Sequence, residues 1–184
     1  TLIAAIWGMG FISMKTTLQR LDVYSFLSWR FSIATLLLIA LRPSALRKID
    51  FRFLKKGLLI GFFLGSGYVF QSLGLTKTTV GKTGFITGLY VVFTPLVAYA
   101  VLKKKINKWD WLSVLIAALG LGLLSFNGFG IGFGESLVLI SAVLFAIHII
   151  ALSQWSGEMD VYALTITQLG ACTVLTTLAS FFQG

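Results

Sequence analysis

Few residues in this 184-residue chain could do chemistry, and those few sit in apolar surroundings. His148 is the single histidine, Arg30 lies inside an apolar run, and Trp7, Gln71 and Tyr90 each put a polar edge among aliphatic neighbours. An imidazole titrates near neutrality, so His148 could relay protons or touch a solute. It could equally be a neutral histidine hydrogen-bonded within the packing. Arg30 lies roughly 8 Å inside its segment at about 1.5 Å per residue, and could bind an anionic group. Otherwise it snorkels to the interface or bonds helix carbonyls. Gln71 offers a donor and an acceptor to a polar solute, or bonds across to another helix for about 1 kcal/mol. Trp7, beside Gly8, either faces a cavity or packs with its N–H satisfied.

A second set forms a stripe. Thr83, Thr87, Tyr90 and Thr94 follow i, i+4, i+7, i+11, one face of a helix. That face would line an aqueous cavity, or its hydroxyls would bond back to their own helix. Pro95 removes a backbone hydrogen bond and is expected to kink this helix. Gly57, Gly61 and Gly65, four apart, suit close helix packing. Asp22 and Asp160 are expected to cap helix starts. The glycine-rich stretch Asn127–Gly134 reads as a turn. One histidine makes no metal site, one cysteine (Cys172) makes no intrachain disulfide, and no G-x-G-x-x-G or Walker pattern is present. No cofactor is expected.

The elements that position these residues follow from composition. The chain is 57% hydrophobic and 11% charged, where a soluble domain is about a quarter charged. Its solvent must be lipid. A helix needs about 20 apolar residues to cross a bilayer core. Seven runs approach that length: 1–19, 25–42, 57–76, 83–102, 110–126, 135–152 and 161–182. They are continuous rather than alternating, which favours helices over barrel strands. The fold class is an all-α integral membrane bundle. The chain starts inside an apolar run at Thr1 without a basic stretch or cleavage site, so no signal peptide is expected.

The net charge of +9 does not mark a nucleic-acid partner. Ten positive residues lie in two connections: Arg42, Arg47, Lys48, Arg52, Lys55 and Lys56, then Lys103, Lys104, Lys105 and Lys108. Only Lys15, Arg20, Lys77 and Lys82 lie on the other side. The positive-inside rule makes the first side, and with it the amino terminus, cytoplasmic. Trp109 and Trp111 sit where an interfacial anchor belongs.

Sliding the sequence on itself by 138 positions lays 3–38 on 141–176 with seven identities, including Asp22-Val23-Tyr24 on Asp160-Val161-Tyr162 and Thr35 on Thr173. Five segments separate the two starts. An odd number inverts the second copy, a construction that recurs in secondary transporters. The expected organisation is a first five-helix repeat at 1–127 and the start of a second at 128–184. The comparison pairs Trp7 with Phe145, Gly10 with His148 and Arg30 with Gln168, so substrate or coupling asymmetry is sought at these positions.

Trp7-Gly8, Arg30-Phe31, Gly74-Leu75-Thr76 followed by Gly84-Phe85 and Pro95, and the basic loop before Trp109 with Ala118-Leu119-Gly120 resemble the EamA-like branch of the drug/metabolite transporter superfamily. The resemblance implies ten helices in two inverted repeats around a central cavity, working by alternating access. It also implies three more helices beyond the seventh. The function expected is a secondary transporter, most simply an exporter in a bacterial inner membrane. It would move small polar or amphipathic metabolites, with protons or another ion as the driving partner. Candidate substrate residues are Trp7, Arg30, Gln71, Tyr90 and His148; Thr83, Thr87 and Thr94 are candidate cavity-lining residues. The alternatives are a truncated, non-transporting membrane scaffold and, more remotely, an integral-membrane enzyme. An enzyme would need paired carboxylates or a histidine cluster, and the six acids sit at segment ends or in connections.

Overall fold

A computed structural model describes residues 2–103, 105, 107–126 and 131–183. The first part of the Asn127–Gly134 turn, with the expected repeat boundary at 127/128, lies outside that range, as does Lys104 of the second basic connection. The described chain is an all-α bundle: α1 Leu2–Thr17, α2 Val23–Leu41, α3 Phe51–Lys77, α4 Val80–Gly88, α5 Tyr90–Leu102, α6 Lys108–Phe126, α7 Phe133–Trp155 and α8 Val161–Gln183. By length and composition, α2, α3, the α4–α5 stretch, α7 and α8 can each cross a membrane. The third helix starts six residues earlier than its apolar run because Arg52, Lys55 and Lys56 continue it past the bilayer core, and Asp50 caps it by accepting from Phe53 N at 2.6 Å.

α3 is the spine, packed along its length against α7 and α8. Its glycines make this possible. A Cβ at Gly57 would stand 2.5 Å from Thr167 Cγ2, and one at Gly61 would stand 2.6 Å from both the Gln168 carbonyl oxygen and Ala171 Cβ. At Gly65 it would stand 3.0 Å from Leu175. These three residues recur every fourth position, so they form one face, and that face lies on the α8 backbone. Gly67 and Gly74 open a second face to α7, where a Cβ would meet Phe145 at 2.6 Å and Val138 at 2.5 Å. Lipid tails are as apolar as leucine, so such helices associate through close contact rather than hydrophobic expulsion. Cys172 Sγ adds a contact to the Gly61 carbonyl at 3.3 Å.

α2 and α8 run antiparallel and are joined by hydroxyls. Ser25 meets Ser180 at 2.9 Å and Ser28 meets Thr177 at 2.6 Å, one index rising as the other falls. Further along, Thr35 and Thr173 approach to 3.5 Å. Each of these two threonines also donates to the carbonyl four residues before it, Phe31 and Leu169, at 2.7 and 2.9 Å. The two Asp-Val-Tyr sequences start their helices alike: Asp22 Oδ1 accepts from Ser25 N at 2.9 Å, and Asp160 Oδ1 accepts from Ala163 N at 3.1 Å.

The end of the bundle that carries Arg42–Lys56 is sealed. Ala45, Phe53, Ile60, Ala163, Leu164 and Ile166 form a buried cluster there, with Leu38, Ile39 and Trp155 packed on it. Arg42 lies over the Tyr162 ring at 4.5 Å. Lys48 Nζ donates to Asp160 Oδ2 at 2.7 Å, and this bond holds the Asp160 carboxyl below its usual range.

Two predictions follow from this packing. Gly61→Ala should destabilise the chain by about 1–3 kcal/mol through overpacking, whereas Gly170→Ala, whose Cβ would meet nothing within 4 Å, should be neutral or slightly stabilising; thermal unfolding in detergent compares them. Because the folded pKa of Asp160 is depressed, its charge stabilises the fold above the unfolded pKa of about 3.9 and the benefit is lost as pH falls through the folded value. Asp160→Asn should therefore be less stable than the native chain at neutral pH and converge with it in acid; a gap independent of pH would show that the charge contributes nothing.

Candidate functional site

A cavity of about 430 Å³ lies between α1, α2 and α3, within the size range of small-molecule sites. α1 contributes Ile6, Trp7, Gly10, Phe11, Ser13, Met14 and Thr17; α2 contributes Phe26 and Arg30; α3 contributes Tyr68 and Gln71. The α2 and α3 residues come from the half of each helix nearer the α1–α2 connection, while the α1 residues run from Ile6 to Thr17, along most of that helix. The cavity therefore lies towards the end opposite the sealed one.

Local sequence explains each wall. Trp7, Gly10, Phe11, Met14 and Thr17 follow the helical period, so one face of α1 supplies most of the lining. Gly8 and Gly10 leave space around them: a Cβ at either would meet nothing within 4 Å. The end of α1 is tied to α3 by Lys15, whose Nζ donates to the Leu75 carbonyl at 3.0 Å and also to the Thr78 carbonyl. A cation suits these carbonyls at a helix C-terminus. Ser72 Oγ contacts Met14 Sδ at 3.8 Å alongside.

Arg30 Cζ stands 5.1 Å from the Tyr68 ring centroid and 6.0 Å from that of Phe31. Cation–π attraction stabilises such a charge by about 0.5–2 kcal/mol. Tyr68 is held edge-on between Phe31 at 5.3 Å and Phe145 at 5.2 Å. Phe145 in turn reaches it by lying over Gly67. Gln71 is buried, and its Nε2 donates to Thr87 Oγ1 at 3.0 Å, so it bonds across helices and lines the cavity as well.

The structure thus brings together Trp7, Arg30 and Gln71. Tyr90 and His148 are not among the residues lining this cavity. His148 is buried in α7, with Nδ1 3.1 Å from the Ile60 carbonyl. A carbonyl can only accept, so Nδ1 carries the hydrogen. The threonine stripe is also outside the lining. Thr83 donates to the Thr79 carbonyl at 2.9 Å and Thr94 to the Tyr90 carbonyl at 2.7 Å, both back-bonds within the helix, while Thr87 holds Gln71. The helix that holds Pro95 is interrupted at Leu89, six residues before it. There Leu89 N bonds the Ile86 carbonyl and Val92 N bonds the Leu89 carbonyl, a three-residue spacing. Tyr68 is the main wall residue that was not singled out as a candidate. Its position three before Gln71 on one helix face was the available signal.

The EamA-like transporter family profile matches residues 1–126. The chain belongs to the EamA-like transporter family. Two proteins of Archaeoglobus fulgidus, each named an uncharacterized transporter, are similar to it. One is 35% identical over 175 residues, covering 95% of this chain and 54% of the relative. The other is 27% identical over 148 residues, covering 80% and 53%. The chain spans about half the length of these relatives. No solved structure matches it.

With His148 bonded to the Ile60 carbonyl and away from the cavity, His148→Gln in the full-length protein should leave the pH profile of transport unchanged. A flattened profile would make it a proton relay.

Proposed function

We propose that this chain is part of a secondary transporter that moves small polar or amphipathic metabolites by alternating access, with the α1–α2–α3 cavity as its substrate site. The observation that carries the reading is the convergence of Trp7, Arg30 and Gln71, distant in sequence, on one metabolite-sized space. The broken α4–α5 helix supports it. Discontinuous helices accompany transporter sites, and Gln71–Thr87 couples the cavity wall to the segment just before the break. The paired aspartate caps and the Thr35–Thr173 contact support an inverted repeat.

In this reading the basic connections face the cytoplasm of a cell membrane, as does the amino terminus. The cavity then lies on the outer side, with Lys48–Asp160 and the cluster around Ile60 closing the inner side. Export driven by protons or another ion is the direction we favour. His148 serves packing, and the threonine stripe supports the wall from behind.

The test is solute flux in vesicles containing the full-length protein, across a broad metabolite panel. Trp7→Ala and Gln71→Ala should each reduce flux by about tenfold if they contact substrate through interactions of roughly 1–2 kcal/mol. Absence of flux for every solute would remove the reading.

A further inference from the structure

We propose that the cavity selects organic monoanions, specifically a carboxylate carried on an apolar or aromatic body, with Arg30 as the residue that determines charge. This deepens the reading of the cavity as a substrate site and rests on it.

The first observation is an exposed charge that no described protein group pairs with. Among the described residues, Arg30 makes no ion pair or hydrogen bond; its contacts are the faces of Tyr68 and Phe31. Ring faces satisfy a guanidinium electrostatically but accept none of its in-plane N–H groups. Those five donors form a planar fork whose natural counterpart is a carboxylate, bound through two parallel hydrogen bonds.

The second observation concerns the acids among the described side chains. Asp22 caps Ser25, Asp50 caps Phe53, Asp110 accepts from Asn107 N, Glu135 accepts from Thr78 and Lys82, and Asp160 accepts from Lys48. Among the described residues, no acidic side chain lines the cavity. A cationic solute would face Arg30 without a counter-charge, so the site disfavours it.

The remaining walls set the rest of the solute. Trp7, Phe11 and Phe26 surround the space with aromatic surface, and among the described residues Arg30 is the only cation in the lining. One cation matches one negative charge; a phosphate dianion would lack a second. Gln71 spends one end of its amide on Thr87 and among the described residues has no other partner, so its other end can meet a second polar group on the solute.

The experiment uses the full-length protein in phosphatidylcholine vesicles and three probes of one shape: 3-phenylpropionate, 3-phenylpropionamide and 3-phenylpropylamine. The acid should bind about tenfold or more tightly than the amide, as expected of charge-assisted hydrogen bonds, and the amine weakest. Arg30→Gln should bring the acid down to about the affinity of the amide, and thermal unfolding of the variant in detergent reports that it is folded. Arg30→Lys should keep part of the preference, and Trp7→Ala should weaken acid and amide alike. Equal binding of acid and amide, or a preference that survives Arg30→Gln, would overturn the proposal. So would loss of acid binding when phosphatidylglycerol is added, which would assign Arg30 to lipid headgroups. If none of the three probes binds while other solutes still cross the membrane, the anion class falls and the transporter reading stands; if no solute crosses, the transporter reading falls too.

Discussion

At Gly61 the backbones of α3 and α8 touch with no side chain between them, and the rest of the bundle depends on that contact. A Cβ there would meet a carbonyl oxygen at 2.6 Å, an atom that cannot turn aside. Because α8 lies this close, its hydroxyls reach α2, and α2 is held at the flank of α3. Because Gly67 and Gly74 do the same for α7, the Phe145 ring arrives edge-on at Tyr68. The cavity occupies the side of α3 left uncovered by these two helices. Its shape is thus a consequence of where glycine is used and where it is not.

The two similar stretches have been put to different uses. Trp7 and Gly10 face open space, while their counterparts Phe145 and His148 are buried against α3. Arg30 points its charge into the cavity wall; its counterpart Gln168 is buried and lends its backbone oxygen to the Gly61 contact. A tryptophan N–H or a guanidinium needs a polar partner or water, so those types belong on the open side. Phenylalanine makes no such demand and fills space beside a glycine. The histidine, with one nitrogen on a helix carbonyl, is buried at a position where its counterpart is only a glycine.

Helix existence was legible because continuous apolar runs in a charged-poor chain admit few other structures. The ends were less so. Hydropathy sees the bilayer core rather than the helix, so α3 begins at Phe51, before the run that starts at 57. Asp22 and Asp160 were readable as caps because a carboxylate three residues ahead of unsatisfied N–H groups has one obvious use. Trp7, Arg30 and Gln71 stood out one at a time, as polar edges in apolar surroundings. Their meeting, and the absence of Tyr90, Thr83 and Thr94 from the same wall, depends on helix rotation and on which helices pack. Single-chain periodicity does not carry that information.

Thr35 and Thr173 occupy matching places in the two stretches and touch each other. In an assembly, a residue that meets its own counterpart marks the position of a two-fold axis, because only there does a surface element coincide with itself. Had the two stretches once belonged to separate copies of one short protein inserted in opposite senses, a single codon would have altered both sides of this contact at once. Fusion into one chain releases that constraint and lets each position drift alone. Here both positions are threonine, each with the same back-bond to its own helix.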